Sequence, residues 1–424
     1  MFLRTAILVA ASSLAFTNPT LAQESGMQMP MGDMHMTMHE APLGIDHVRD
    51  GPGTSWLPEA SPMDGLMRDH GAWTLMLHGN AFLQDIDAGS DRGDDQFGSI
   101  NWLMGMARRP WAGGEIRFST MLSLEPLTVG KCGYPLLLQS GEVCDGAALH
   151  DRQHPHDLFM EVSADYRRAL GNSLAIELYG GPAGEAALGP TGFAHRFSAL
   201  PNPVAPISHH WLDSSHISFG VITAGLYGKK WKAEGSVFNG REPDDARYDF
   251  DLAALDSYSG RLWFLPNAAW SIQVSAGHLT EAEHHAEASE DADRVTASAT
   301  YHRLVNDRLW ATTFAWGQNR EGGQTSAAFL GETAVDVSRR DTIFARAEVV
   351  GKTALDLALS VPGDQIFTVS KFQAGYTRWL ARAGGVKAGL GASAGIAVLP
   401  ENLRPYYGSR SAGEFAVFLT VRPK

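Results

Sequence analysis

A chain of 424 residues with 44% hydrophobic residues has enough material for a sizeable fold. Its formal charge of −13 argues against a nucleic-acid binder. Two cysteines permit at most one disulfide, and no nucleotide, haem or flavin motif stands out, so no organic cofactor is expected.

The first residues address location. Arg4 supplies a positive n-region, and Ala6 to Phe16 ("AILVAASSLAF") has the length of a signal-peptide core. The small residues of "TLA", Thr20 to Ala22, offer a cleavage site, so 1–22 reads as a signal peptide and the mature chain as Gln23 onward. The apolar run is too short to span a bilayer as a helix. No later stretch reaches the ~18 uncharged apolar residues of a membrane helix. The protein is therefore either released beyond the inner membrane or crosses a membrane as strands.

Next comes "GMQMPMGDMHMTMHE", Gly26 to Glu40, which holds Met27, Met29, Met31, Met34, Met36 and Met38 with His35 and His39. A core helix would place methionines at i, i+3, i+4 and i+7, whereas these nearly alternate. Pro30 and Gly32 also disfavour a helix, and the intervening residues are polar. The segment reads as an extended tether carrying soft ligands, within a flexible, periplasmic N-terminal segment over 23–70. Thioethers favour Cu(I) or silver, and imidazole also holds Cu(II), so copper is the metal this tract implies. A disordered tail, methionine-rich by composition alone, is the bland alternative.

After residue 70 the dominant period is two. In "DLFMEVSADYR", Leu158, Met160, Val162, Ala164 and Tyr166 share one face, and Asp157, Glu161, Ser163, Asp165 and Arg167 the other. Such alternation over ~10 residues marks a strand between two different solvents. Sixteen segments of this kind fall near 73–83, 96–108, 113–123, 155–169, 173–182, 215–228, 230–240, 255–266, 268–278, 293–305, 308–319, 325–337, 340–350, 364–379, 384–398 and 412–422. Tight connections such as "LGN" and "ND" alternate with long ones, the longest at 124–154 and 183–214. The expected fold is all-β: a transmembrane antiparallel barrel of about sixteen strands over 71–424, with short periplasmic turns and long extracellular loops, in contact with outer-membrane lipid. Trp231, Tyr258, Trp263, Trp270, Tyr301, Trp310 and Trp379 are candidates for the interfacial aromatic belts. A barrel of this size encloses a lumen wide enough for water. With both termini on the short-turn side, the methionine tract would sit at its inner mouth.

Cys132 and Cys144 are close enough in sequence to form a disulfide in an exported chain. The chain has sixteen histidines, and three clusters fall on the long-loop side: His150, His154 and His156; His195, His209, His210 and His216; His278, His284 and His285. His154 with His156, and His209 with His210, are further candidate ligands, since imidazole suits copper, zinc, iron and nickel. "HHAEASEDAD" reads as a solvated acidic loop.

Three resemblances follow. "HISFG", His216 to Gly220, resembles the H-x-S-x-G arrangement of outer-membrane phospholipases, but Phe219 stands where those enzymes usually carry Asn. The Ile217, Phe219 and Val221 face is also the better lipid face, which turns His216 and Ser218 inward, so catalysis is not expected. The Met/His tract ahead of a barrel resembles the outer-membrane B component of copper-resistance systems, whose repeats are often longer. That resemblance implies metal binding, tolerance or passage, with periplasmic copper-handling proteins as partners. "DRQHPHDLFMEVSADY", "NPVAPISHHWLDSSHISFGVITAGL" and "VFNGREPDDARYDFDLAALDSYSGRLWF" are similar to a group of proteobacterial outer-membrane barrels. That similarity implies a fold and a location, with no established activity. Taken together, the expectation is an outer-membrane barrel that binds copper or silver, with a general porin or structural barrel as the alternative.

Overall fold

A computed structural model describes residues 41–424, apart from 286–287 and 362–364. The expected signal peptide and the ligands Met27, Met29, Met31, Met34, His35, Met36, Met38 and His39 lie outside the described residues. The strands are β1 (Leu66–His70), β2 (Trp73–Ala88), β3 (Asp95–Trp111), β4 (Gly114–Leu122), β5 (Tyr134–Cys144), β6 (Ala147–Gln153) and β7 (Phe159–Ala169). They continue with β8 (Ala175–Ala183), β9 (Val221–Tyr227), β10 (Trp231–Phe238), β11 (Ser257–Phe264), β12 (Trp270–His285) and β13 (Ala288–Val305). The last six are β14 (Arg308–Glu321), β15 (Gln324–Asp336), β16 (Asp341–Thr353), β17 (Ile366–Ala383), β18 (Val386–Val398) and β19 (Ser411–Pro423).

Sixteen of them close into one antiparallel barrel. The order is β2, β3, β4, β7, β8, β9 and on to β19, which pairs back onto β2 with Phe418 opposite Gln84. Each expected segment overlaps one of these strands. Closure leaves no unpaired edge, the condition for strands in lipid. β1 only forms a hairpin with β2, and β5 with β6 makes a separate two-stranded hairpin. Tight turns have the positive φ that two-residue hairpins demand, as at Asn306 (53°) with Asp307 (59°).

The alternation is inverted relative to a soluble sheet. On β7 the charged Glu161, Asp165 and Arg167 are buried, and on β19 Phe415, Val417 and Leu419 are exposed while Glu414, Thr420 and Arg422 are not. Phe314, in the middle of β14, is 60% exposed. That is a lipid face outside and a polar face inside. Trp73, Trp231, Trp270 and Trp310 open their strands and Trp111 ends one, forming a belt at the short-turn end; Trp270 lies 5.0 Å and Trp310 5.7 Å from Tyr301. Trp263 and Trp379 instead point inward, where their indoles donate to Glu234 Oε1 and Thr342 Oγ1.

Boundaries of β9, β12 and β13 differ from expectation. β9 starts at Val221 rather than near 215, because Ser214–His216 is a 3₁₀ turn and Gly220 takes φ +92°. β12 and β13 run into the expected acidic loop up to His285 and Ala288, carried by continued pairing such as Leu279 with Ala292.

The barrel interior is filled by the chain itself. Residues 41–65, the described part of the expected flexible segment ahead of the strands, pack against the wall. Trp56 is buried between Arg49 (4.1 Å), Lys232 (4.7 Å) and Tyr227 (5.7 Å), and its carbonyl accepts from Ser271 Oγ at 2.8 Å. Arg117 donates to Gly53 O (2.8 Å), Arg49 to Lys229 O (2.7 Å), and Ser61 Oγ lies 2.8 Å from His302 Nδ1. Asp50 is held by Arg167 (2.6 Å) and His47 (3.0 Å), with Arg117 at 3.8 Å and Arg108 at 3.9 Å. From Arg167 a ladder of ion pairs climbs the wall through Glu177 (2.7 Å), Lys232 (3.0 Å) and Glu234 (3.5 Å) to Arg261 (2.8 Å), which also donates to Glu185 of the 184–220 loop at 3.3 Å. Buried pairs of this sort add little net stability but are costly to break singly, so they fix where the plug sits.

Two inward loops complete the filling. The 123–158 loop carries the β5–β6 hairpin and the Cys132–Cys144 disulfide, Cα to Cα 5.6 Å. The 184–220 loop crosses the lumen: Asn80 donates to Leu200 O (3.0 Å), Arg196 to Glu332 (2.7 Å), Arg346 to Val204 O (2.9 Å) and Trp211 to Ser326 Oγ (2.7 Å). Wall charges such as Lys232, Arg261, Lys352, Glu332 and Lys371 are accordingly buried. A lumen wide enough for water is thus largely occupied by packed chain.

Candidate functional site in the lumen

The loop histidines converge. His154, His156, His209, His210 and His216 line one cavity of about 40 Å³ together with Asp157 and Glu242. Pro155 holds the first two apart in an extended stretch, and His209 and His210 open a single helical turn, His209–Leu212. Ring centroids are 5.0 Å apart for His209–His216, 5.4 Å for His209–His210, 5.5 Å for His156–His216 and 6.3 Å for His154–His210.

Three of the five are hydrogen-bonded through Nδ1, and a fourth, His210, has a carboxylate beside that atom. His156 Nδ1 lies 3.0 Å from Glu125 Oε2, which also accepts from its backbone N–H at 2.9 Å. His209 Nδ1 lies 2.8 Å from Asp213 Oδ1, His216 Nδ1 2.8 Å from Asp213 O, and His210 Nδ1 2.8 Å from Glu242 Oε1. Fixing one ring nitrogen with a carboxylate or carbonyl is how proteins aim the other at a ligand. Nε2 of His156 and of His216 is buried and without a hydrogen-bond partner. Asp213 is itself clamped by Arg196, which ties the cluster to Glu332 on β15.

Burial sets the protonation states. It drives His154 and His216 well below the ordinary imidazole value and His209 down to about 4, partly offset at His209 by Asp213. At His156 burial opposes charge, but Glu125 outweighs it and the value rises. Burial lifts Asp157 to about 6 despite Arg247. Most of the cluster is therefore neutral imidazole, the form that ligates metals.

The ring is wide. Among the described residues, the groups of three ligand atoms within 4.8 Å are Cys132, Cys144 and Asp145, whose sulfurs are bonded to each other, and the surface trio Asp244, Asp249 and Asp251. The histidine cluster is not a preformed tetrahedral cage.

His216 and Ser218 do not pair as base and nucleophile. Ser218 Oγ donates to Ser215 O (3.3 Å), His216 Nδ1 faces Asp213 O, and no hydrogen bond joins the two among the described residues. His278, from the third sequence cluster, sits apart at the surface, 2.8 Å from Asp293. Asp213, four residues after His209, is one of the carboxylates the sequence offers beside the histidines; reading the sequence alone missed Glu125 and Glu242, which orient imidazoles from other segments.

No protein-family model matches this chain, and no curated protein matches it. Solved structures do. OmpF of Salmonella typhi in complex with daunomycin aligns with 84% of this chain and 100% of its own, at 10% identity and a TM-score of 0.51. An anion-selective porin from Comamonas acidovorans aligns with 83% of this chain and 99% of its own, at 10% identity and a TM-score of 0.50. The fold is that of an outer-membrane porin. At such identities the likeness extends to architecture and not to ligands.

Proposed function

We propose that this chain is a porin-like outer-membrane barrel, closed at rest by its own plug and loops, that handles copper in its lumen. The observation that carries the reading is the set of loop histidines meeting at one buried cavity, three of them aimed by hydrogen bonds at Nδ1. Imidazole suits Cu(II) and Cu(I), and a wide ring of adjustable ligands suits an ion in transit better than one held for structure. The Met/His tract, which includes Met27 and His35, would supply further soft ligands for the ion, as the resemblance to copper-resistance B components implies. Silver would follow the same soft ligands.

The test is Cu(II) titration of the full chain followed by electron paramagnetic resonance. Imidazole-nitrogen couplings should weaken in His156→Ala/His216→Ala. An unchanged spectrum and affinity in that variant would remove the metal reading. The second reading, a general porin with no metal role, is favoured by the likeness to porins. It expects small-solute conductance that copper does not alter.

A further inference from the structure

Seven methionines follow the N-terminal tract: Met63, Met67, Met76, Met104, Met106, Met121 and Met160. Six of them gather at one place inside the barrel. On the luminal faces of β2, β3 and β4, Met76 stands opposite Met106, and His78 opposite Met104, which in turn stands opposite Met121. Residues directly opposite in a sheet have Cβ atoms about 4.5–5.5 Å apart, within reach of one another's side-chain tips. Met63, from the plug, closes the same cavity of about 80 Å³, together with Met76, Met104, Met106, His78 and His195. Met121 and Met160 pack beside Met104 and Trp102.

Much of the rest of the inner wall carries charge: Arg117, Asp165, Arg167, Glu177, Lys232 and Glu234 face the plug. Methionine on the luminal face is therefore a local departure from the chain's own pattern. One contact shows what the departure can do. His195 Nε2 lies 3.3 Å from Met121 Sδ, so an imidazole nitrogen and a thioether already share one locus. His78 is 5.5 Å from His195, ring to ring, and its Nε2 is buried with no hydrogen-bond partner.

We infer that this cluster is a binding site for a soft monovalent metal ion, Cu(I) or Ag(I), held by thioethers of Met76, Met104, Met106 and Met121 with the imidazoles of His78 and His195. Thioether and imidazole ligands in a water-poor pocket select Cu(I) over harder ions. The site lies toward the short-turn end, since Met76 is three residues from the start of β2 and Met106 five from the end of β3. It stands on its own ligands and is separate from the histidine cavity, which lies toward the long loops.

The test uses Ag(I), which needs no reducing conditions, on the refolded full chain in competition with a chelator; bound silver is counted after desalting. Met104→Leu/Met106→Leu and, separately, Met76→Leu/Met121→Leu keep side-chain volume and remove sulfur. Each pair should bind one silver ion fewer per chain than the parent, with folding checked by heat-modifiable gel mobility. Leucine in place of the six tract methionines should leave this ion bound, and His154→Ala/His209→Ala should not affect it. An equal silver count in the parent and both leucine pairs overturns the inference. So does loss of all silver when only the tract is changed.

Discussion

Replacing Asp50 by asparagine should loosen the plug. The carboxylate accepts from Arg167 at 2.6 Å and His47 at 3.0 Å, with two further guanidinium groups within 4 Å. Asn keeps the volume and one acceptor but removes the charge. Breaking a buried pair from one side costs roughly 3–5 kcal/mol when the remaining charge is stranded. Arg167 keeps Asp165 at 2.9 Å and Glu177 at 2.7 Å, so the stranding is incomplete. A loss of roughly 2–3 kcal/mol in plug docking follows, which at 1.4 kcal/mol per tenfold raises the undocked population roughly 30- to 140-fold. Single-channel recording in planar bilayers reads the change as brief partial openings, far more frequent in Asp50→Asn than in the parent, since the 184–220 loop keeps its own anchors across the lumen. Protease sensitivity of residues 41–65 should rise in parallel. If Asp50→Asn is as silent and as resistant as the parent, the charge cluster does not hold the plug and the argument fails.

Burial lifts the Glu185 carboxyl to about 8 even beside Arg261. A raised acid stabilises the fold fully below its unfolded value and loses that contribution as pH rises through its folded value. The thermal midpoint in detergent should therefore fall from about pH 5 upward and level off near pH 8, and Glu185→Gln should flatten that fall; a parallel profile in the variant would contradict it. Cys132→Ser opens a loop whose closure is worth about 3 kcal/mol in the chain-entropy model, so the 123–158 loop should become protease-sensitive, as it should in the parent under reductant. Phe314→Arg places a charge on the lipid face at mid-strand and should cost about 2–4 kcal/mol of folding in bilayers, read from urea titrations of vesicle-inserted protein.

The strands were legible because each carries its own two-solvent signature: "EFAVFLTVR" announces both faces of β19 without reference to any neighbour. The interior was not, since the same logic does not extend to chain that folds inside a barrel. Arg49, Asp50 and Trp56 read as an ordinary linker, because the arginines and the lysine that receive them lie more than fifty residues away. The histidine cavity was half legible. His154, His156, His209 and His210 stood out by composition, but that they meet, and that Glu125 and Glu242 orient them, is tertiary. The thioether cluster left one local trace: Met-x-His at 76 and 78 and Met-x-Met at 104 and 106 put like ligands on one face of adjacent strands.

The seam between β19 and β2 has a consequence for assembly. The barrel cannot seal until its last strand is made, whereas the plug is among the first parts of the described chain to be synthesised. Once the seam zips, a closed ring offers residues 41–65 no lateral entry, and the short-turn mouth is the route left to them. The sixteenth strand thus works as a latch. A plug that docks before the latch closes can register on the open sheet, where Arg117, Arg167 and Lys232 of the wall serve as its template; one that docks afterwards must reach the same charges from the mouth.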